Sequence, residues 1–338
     1  MRRTILPLLL IICLLPAGCE KTRTAPEAET GLSGTAGLAA DTVVAAVDGR
    51  EVTAGQYLYW LAAVCGDIRD YYRSAGGEPD WSAPLEDGTL GGYAKDQALR
   101  SAALYATTVE GWAEKYGCAL TAEDRAAMDA EWAEKTAAAG GEETYLARQG
   151  LDRSAAETLS EDHYLYLRLC ALAEEPNSPL WAGEEELAEF FRQQGYVTVD
   201  MVTFSGEDGK NRAAEAFAGL NASRSPEADF AALRTAAGGE DGYPRTLLPT
   251  DGTLPESLST SAAALAEGQL SGIVETEDGW AILLRLRDDT EAVRQDLLDH
   301  RLQAAADGAE VRTTEAYRNL DTAAFCAALD RSREALEK

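Results

Sequence analysis

The stretch from Glu256 to Leu286 constrains the fold more than any other part of the chain. A helix near Glu256 to Ala266 gives way to a strand at Ile273-Val274, an Asp278-Gly279 turn and a strand from Trp280 to Leu286. Asp-Gly between two β-rich runs signals a hairpin, because glycine accepts the positive φ that tight turns need. A helix leading into a hairpin must bury its apolar side against further strands and helices, so a small α+β unit is expected. The residues just upstream supply them. Tyr196 to Phe204 is β-rich, Asn211 to Leu220 reads as a helix, and Ser225-Pro226 opens another that carries Phe230 and Leu233 and stops at Gly238-Gly239.

The N-terminal half has a different character. Val43 to Val47 ends in an Asp48-Gly49 turn, and Thr53 and Gln56 stand at capping-box spacing ahead of Tyr57, Trp60, Leu61, Val64, Ile68 and Tyr71 at helical intervals. That aromatic face is either a surface for apolar partners or plain core. A second stripe, Leu99, Ala102, Ala106, Val109, Ala113 and Tyr116, stops at Gly117, and Thr121 with Asp124 and Ser154 with Glu157 open two more helices. Residues 54–175 are therefore expected to be nearly all helix. An acidic helix from Glu184 to Gln194 follows, and residues 290–338 are helical again around Val293, Leu297, Leu298, Phe325, Leu329 and Leu336.

Arg2 and Arg3, an apolar run from Ile5 to Leu15 and Pro16-Ala17-Gly18 form a secretory signal whose apolar part is too short to span a bilayer. Small residues directly before Cys19 resemble the lipobox of bacterial lipoproteins, which implies acylation of that thiol and a lipid-anchored, extracytoplasmic chain; an ordinary cleaved signal is the alternative. Residues 19–42, rich in Ala, Gly, Thr, Ser and Glu, read as a flexible tether. The formal net charge of −28 opposes binding to nucleic acid. Cys65, Cys118, Cys170 and Cys326 are far apart and show no metal-ligand spacing, which leaves disulfides or buried thiols open and gives no reason to expect a metal or cofactor. With only His163 and His300 and no serine elbow, a hydrolase has little support; the long helical half argues against a two-lobed solute-binding protein.

Two motifs carry a resemblance. Ala264-Leu265-Ala266-Glu267-Gly268-Gln269-Leu270-Ser271, followed by Val274-Glu275-Thr276-Glu277-Asp278-Gly279-Trp280-Ala281-Ile282-Leu283-Leu284, resembles the last helix and closing hairpin of the parvulin (PpiC-type) peptidyl-prolyl isomerases. Val44-Ala45-Ala46-Val47-Asp48-Gly49-Arg50-Glu51-Val52-Thr53, with Tyr57, is similar to the start of the mature N-terminal domain in PrsA- and SurA-type secretion chaperones. The resemblance implies an α+β protein. Residues 1–18 would be the signal, 19–42 the tether, 43–195 a mainly helical chaperone domain, 196–289 an inserted parvulin-like domain, and 290–338 helices packing back on the chaperone domain. It implies a foldase for secreted polypeptides, with an active isomerase or a non-catalytic binding lipoprotein as alternatives.

The resemblance also says where an isomerase site would lie. The two framework histidines of the family fall at Asp200 and Ala281, so both are absent, and activity is doubtful on that ground. A groove for proline would be lined by Met201, Val202, Leu254, Leu258 and Trp280. In Leu254-Pro255-Glu256-Ser257 a serine stands where the family has phenylalanine, and the family's Gly-rich loop corresponds to Gly238-Gly239-Glu240-Asp241-Gly242. Asp200 is then either a replacement polar group in the site or a structural carboxylate.

Overall fold

The computed structural model describes residues 31–151, 153–237 and 243–336, and groups them into two compact units. One runs from Ala182 to Leu297; the other takes the described residues up to Trp181 together with those from Leu298 onward. The signal, Cys19 and the loop 238–242 lie outside the described residues.

The helical unit opens with α1 (Leu32–Ala36), and here the tether expectation is corrected. Leu32 is only 3% exposed, and its N–H donates to the Gly150 carbonyl at 2.7 Å. Gly150 has φ +70°, and a Cβ there would sit 2.7 Å from Leu32 Cγ, so the glycine makes the slot that this one leucine fills. With Ala36 and Leu38 packed on the same core, and the Thr42 and Ala40 carbonyls accepting the Ala54 and Gly55 N–H groups, residues 31–42 belong to the fold. β1 (Val43–Val47) and β2 (Arg50–Thr53) then form an antiparallel hairpin through Asp48 and Gly49, both at positive φ.

α2 (Ala54–Ser74) begins at the expected capping box: the Gln56 N–H donates to Thr53 Oγ1, and the Thr53 N–H donates to Gln56 Oε1. Such a cap contributes about 1 kcal/mol. Tyr57 and Leu61 are fully buried and Trp60 stacks on Tyr105 at 4.9 Å, so most of the aromatic face is core rather than a surface for partners. A small hairpin, β3 (Pro84–Leu85) and β4 (Gly88–Thr89), precedes α3 (Leu90–Ala103). The stripe expected to run to Tyr116 does so with a change of winding. Leu104–Val109 form a π-helical turn before α4 (Glu110–Tyr116), which ends at left-handed Gly117. α5 (Ala122–Ala139), α6 (Glu142–Gln149) and α7 (Arg153–Glu174) complete this half.

The inserted unit begins with α8 (Glu184–Gln194), followed by β5 (Val197–Phe204), α9 (Gly209–Ala222), α10 (Pro226–Ala236), β6 (Arg245–Leu247), α11 (Glu256–Ala264), β7 (Val274–Thr276) and β8 (Gly279–Arg285). All neighbouring strands are antiparallel, in the order β6-β5-β8-β7. β5 and β8 are central and covered on both faces, with Ile282, Leu283 and Leu284 fully buried. Each such side chain contributes about 1.5–3 kcal/mol. The compact unit is wider than the 196–289 expected from sequence, because α8 packs its Leu187, Phe190 and Phe191 against Val293 and Leu297 inside Ala182–Leu297.

The chain then forms α12 (Arg294–Asp307), β9 (Val311–Thr313), α13 (Glu315–Asn319) and α14 (Thr322–Leu336). The purely helical tail expected from sequence is interrupted by β9, which pairs with β1 and completes the sheet β2-β1-β9. α14 is tied to α2 by a Cys65–Cys326 disulfide and an Arg69–Asp330 ion pair at 2.7 Å.

Candidate functional site

The motif that closes the inserted unit does so through its backbone. Gly268 N–H donates to the Arg285 carbonyl, Arg285 N–H to the Gln269 carbonyl, and Ser271 N–H to the Leu283 carbonyl, so residues 268–271 run along β8 as an extra edge. Ser271 Oγ, on a residue 3% exposed, also accepts the Leu283 N–H at 2.8 Å. Gly268 takes φ +76°, which an L side chain rarely adopts. The Gly-x-Leu-Ser pattern is thus a docking strip for the central hairpin, and it specifies fold rather than chemistry.

The pairing of β5 with β8 decides which residues can form a site. Asp200 lies opposite Leu284, Met201 opposite Leu283, and Thr203 opposite Ala281. Because side chains alternate across a sheet, Val197, Val199, Met201, Ala281 and Leu283 share one face, packed with Tyr243, Leu247, Leu254, Leu258 and Ala262. Val202, Phe204, Ile282 and Leu284 share the other, packed with Ala213, Leu220 and Phe230 of α9 and α10.

Of the expected groove, Met201, Leu254 and Leu258 therefore come together. Val202 and Trp280 do not: both belong to the cluster on the opposite face, where Lys210 Nζ lies 4.6 Å from the centre of the Trp280 ring. The reason is the two-residue period of a strand, in which one step along the chain crosses the sheet. Asp200 and Ala281 are separated in the same way. They cannot stand in for two histidines of one network, because Ala281 faces the groove cluster and Asp200 faces α10.

Asp200 is buried at 3% exposure, and its charge is met where it lies. Arg234, in the last turn of α10, brings Nε to 2.9 Å from Asp200 Oδ1, and the Met201 N–H donates to the same oxygen at 2.9 Å. Arg234 Nη1 in turn donates to the Tyr243 carbonyl at 2.6 Å. The structural reading of Asp200 is the one this geometry supports. Sequence reasoning missed Arg234. No local pattern identifies a partner on a helix thirty-four positions later.

The apolar face is filled by its own side chains: Met201, Leu254 and Leu258 are 7%, 9% and 4% exposed. Ser257, where the resemblance implies phenylalanine, is exposed and donates to the Glu275 carbonyl, tying α11 to β7. In the helical unit, a cavity of about 580 Å³ is bounded by Leu38, Leu320, Ala324 and Phe325, with Asp321 and Arg331 also on its wall. Among the described residues, no group of His, Cys, Asp and Glu is arranged to hold a metal ion, and no helix is long and apolar enough to cross a membrane.

Residues 184–299 match the sequence profile of the PPIC-type PPIase domain, over nearly the same span as the compact inserted unit. The chain carries a PPIC-type domain. The resemblance read from the closing helix and hairpin is met by that match, and so is the α+β class. No curated protein matches the chain in sequence. Among solved structures, the chain is similar to the foldase protein PrsA of Lactococcus lactis, at 12% identity over 86% of this chain and 99% of that one, with a TM-score of 0.29. It is similar also to PrsA of Bacillus subtilis, at 17% identity over 74% of this chain and 90% of that one, with a TM-score of 0.25. A third similarity is to one of two structurally related SurA-like chaperones of Campylobacter jejuni, at 11% identity over 79% of this chain and 93% of that one, with a TM-score of 0.24.

Proposed function

We propose that this protein is an extracytoplasmic foldase of the PrsA/SurA type, anchored to the membrane through acylated Cys19, which holds secreted polypeptides while they fold. In this reading the PPIC-type domain binds X-Pro segments and isomerises them weakly or not at all. One observation carries the reading: the face that would take a prolyl ring keeps Met201, Leu254 and Leu258 but closes them to solvent, with Ala281 in place of a polar framework residue. The barrier to X-Pro rotation is about 18–20 kcal/mol. Lowering it requires a pocket that grips the ring and favours the twisted amide, and a filled face lowers it little. The Cys65–Cys326 disulfide supports an oxidising compartment.

An active isomerase is the second reading, favoured by the continuity of the apolar face from Met201 to Leu258. Exchange NMR on a short X-Pro peptide with the full chain separates the two. We expect less than about a tenfold acceleration over the uncatalysed exchange of tens of seconds or longer. Strong acceleration that vanishes in Leu254→Ala would establish the active enzyme.

The holding role is assigned to the cavity of the helical unit. Ala324→Trp, which would obstruct part of it, is expected to cut suppression of aggregation of an unfolded secreted protein severalfold while leaving the circular-dichroism spectrum intact. Unchanged suppression in a folded variant would remove the cavity from the client-binding surface.

A further inference from the structure

Arg234 does more than neutralise a buried acid. Its side chain starts from α10 on one side of the sheet, meets Asp200 with Nε, and with Nη1 holds the backbone of Tyr243, whose ring belongs to the apolar cluster on the other side. A buried carboxylate needs a partner, but a lysine or a single backbone donor would supply one. A guanidinium is planar and several atoms wide, so it can hold its charge against Asp200 as an ion pair through Nε while Nη1, at a set distance in the same plane, donates to the Tyr243 carbonyl. Asp200 is itself fixed by the N–H of Met201, whose side chain lies in the same cluster as Tyr243. The chain of contacts runs from Met201 through Asp200 and Arg234 to Tyr243, and so connects the floor of the apolar face to a residue of its wall. Arg245 stacks its guanidinium 4.8 Å from the centre of the Tyr243 ring and braces that residue from a second side.

We propose that the Asp200–Arg234 pair is the positioning element of the prolyl-binding face, setting Tyr243 against Met201 and Leu254 so that the face takes an X-Pro segment. This rests on the reading of that face given above. Neither residue touches the bound segment; both act through Tyr243.

The test uses the full chain as wild type, Arg234→Lys, Arg234→Met and Asp200→Asn, with the Tyr243 ring signals assigned by loss in Tyr243→Phe. Each protein is titrated with a short X-Pro peptide by NMR, and its thermal unfolding is recorded. Arg234→Lys keeps the charge opposite Asp200 but cannot also reach the Tyr243 carbonyl. It is expected to unfold close to wild type while its Tyr243 signals move and peptide affinity falls about tenfold, the effect of one charge-assisted hydrogen bond. Arg234→Met and Asp200→Asn are expected to lose both stability and binding. If Arg234→Lys binds as wild type does, or if its Tyr243 signals stay in place, the pair is only a structural ion pair and the proposal is overturned. If wild type itself does not bind the peptide, the prolyl reading falls, and the Tyr243 signals alone decide whether the pair positions that residue.

Discussion

Loss of the Cys65–Cys326 disulfide is expected to destabilise the helical unit by about 4 kcal/mol and to leave the PPIC-type unit as it was. The bond closes a sequence separation of 261 residues between α2 and α14, with a Cα–Cα distance of 6.2 Å. Chain entropy makes so long a loop expensive to close without the bond, and the cost grows only slowly beyond a hundred residues. Both cysteines are buried, at 3% and 0% exposure, inside the cluster that holds Tyr57, Leu58 and Phe325. Residues 182–297 contain no cysteine, so the effect should be confined to one transition. Denaturant unfolding of the Cys65→Ala/Cys326→Ala variant, followed separately in each unit, checks this. Dithiothreitol should shift the wild type to the same midpoint and leave the variant unmoved. A loss under about 1 kcal/mol would mean that packing of α14 on α2 suffices without the bond.

The second large effect concerns a proton. Asp162 on α7 is 4% exposed, and burial, followed by the negative charge of Glu110, pushes its carboxyl up from 3.8 to about 8. Its proton is donated to the Glu110 carboxylate at the start of α4, just after the π-helical turn. Burial raises Glu110 too, opposed by Arg50, whose Nη1 lies 3.3 Å from Glu110 Oε2. Glu161 adds a further negative charge facing Asp162, Glu114 adds one facing Glu110, and Tyr105 feels the charge of Asp162 from the π-helical turn.

The folded-state value is raised above that of the unfolded chain. Stability from this group is therefore full below about pH 4, declines between about pH 4 and pH 8 while only the folded state keeps the proton, and is lost once pH has risen through the folded value. The slope contributed by one such group is at most about 1.4 kcal/mol per pH unit. Asp162→Asn keeps a donor to Glu110 without a titratable proton. It is expected to flatten that decline and to stabilise the helical unit at pH 8 by about 2 kcal/mol. Urea unfolding of both proteins at pH 5 and pH 8 measures it. Equal pH dependence in the two would show that Asp162 is ionised in the folded state at neutral pH.

The parts of the fold that were legible in sequence are those whose signals are local. Thr53 and Gln56 announce the start of α2, Gly117 and Gly195 end helices where expected, and Asp278-Gly279 turns the closing hairpin. Capping and turn chemistry act within four residues, so a one-dimensional reading captures them. The short strands β6 and β9 escaped because three residues show no period of their own; each exists because a longer strand offers an open edge to it. Leu32 escaped for a similar reason, since its slot is made by Gly150.

The candidate site divides along the same line. The resemblance carried by the sequence implied an apolar groove with Met201, Leu254 and Leu258 and the absence of both framework histidines at Asp200 and Ala281. Only the tertiary structure decided that Val202 and Trp280 face away, that Asp200 and Ala281 never meet, and that Arg234 takes the charge of Asp200. The physical reason is that composition and local period determine which side chains must be buried, whereas strand register decides on which face. A partner for a buried charge is chosen by what the packed layers bring within about 3 Å, and no spacing along the chain encodes that distance.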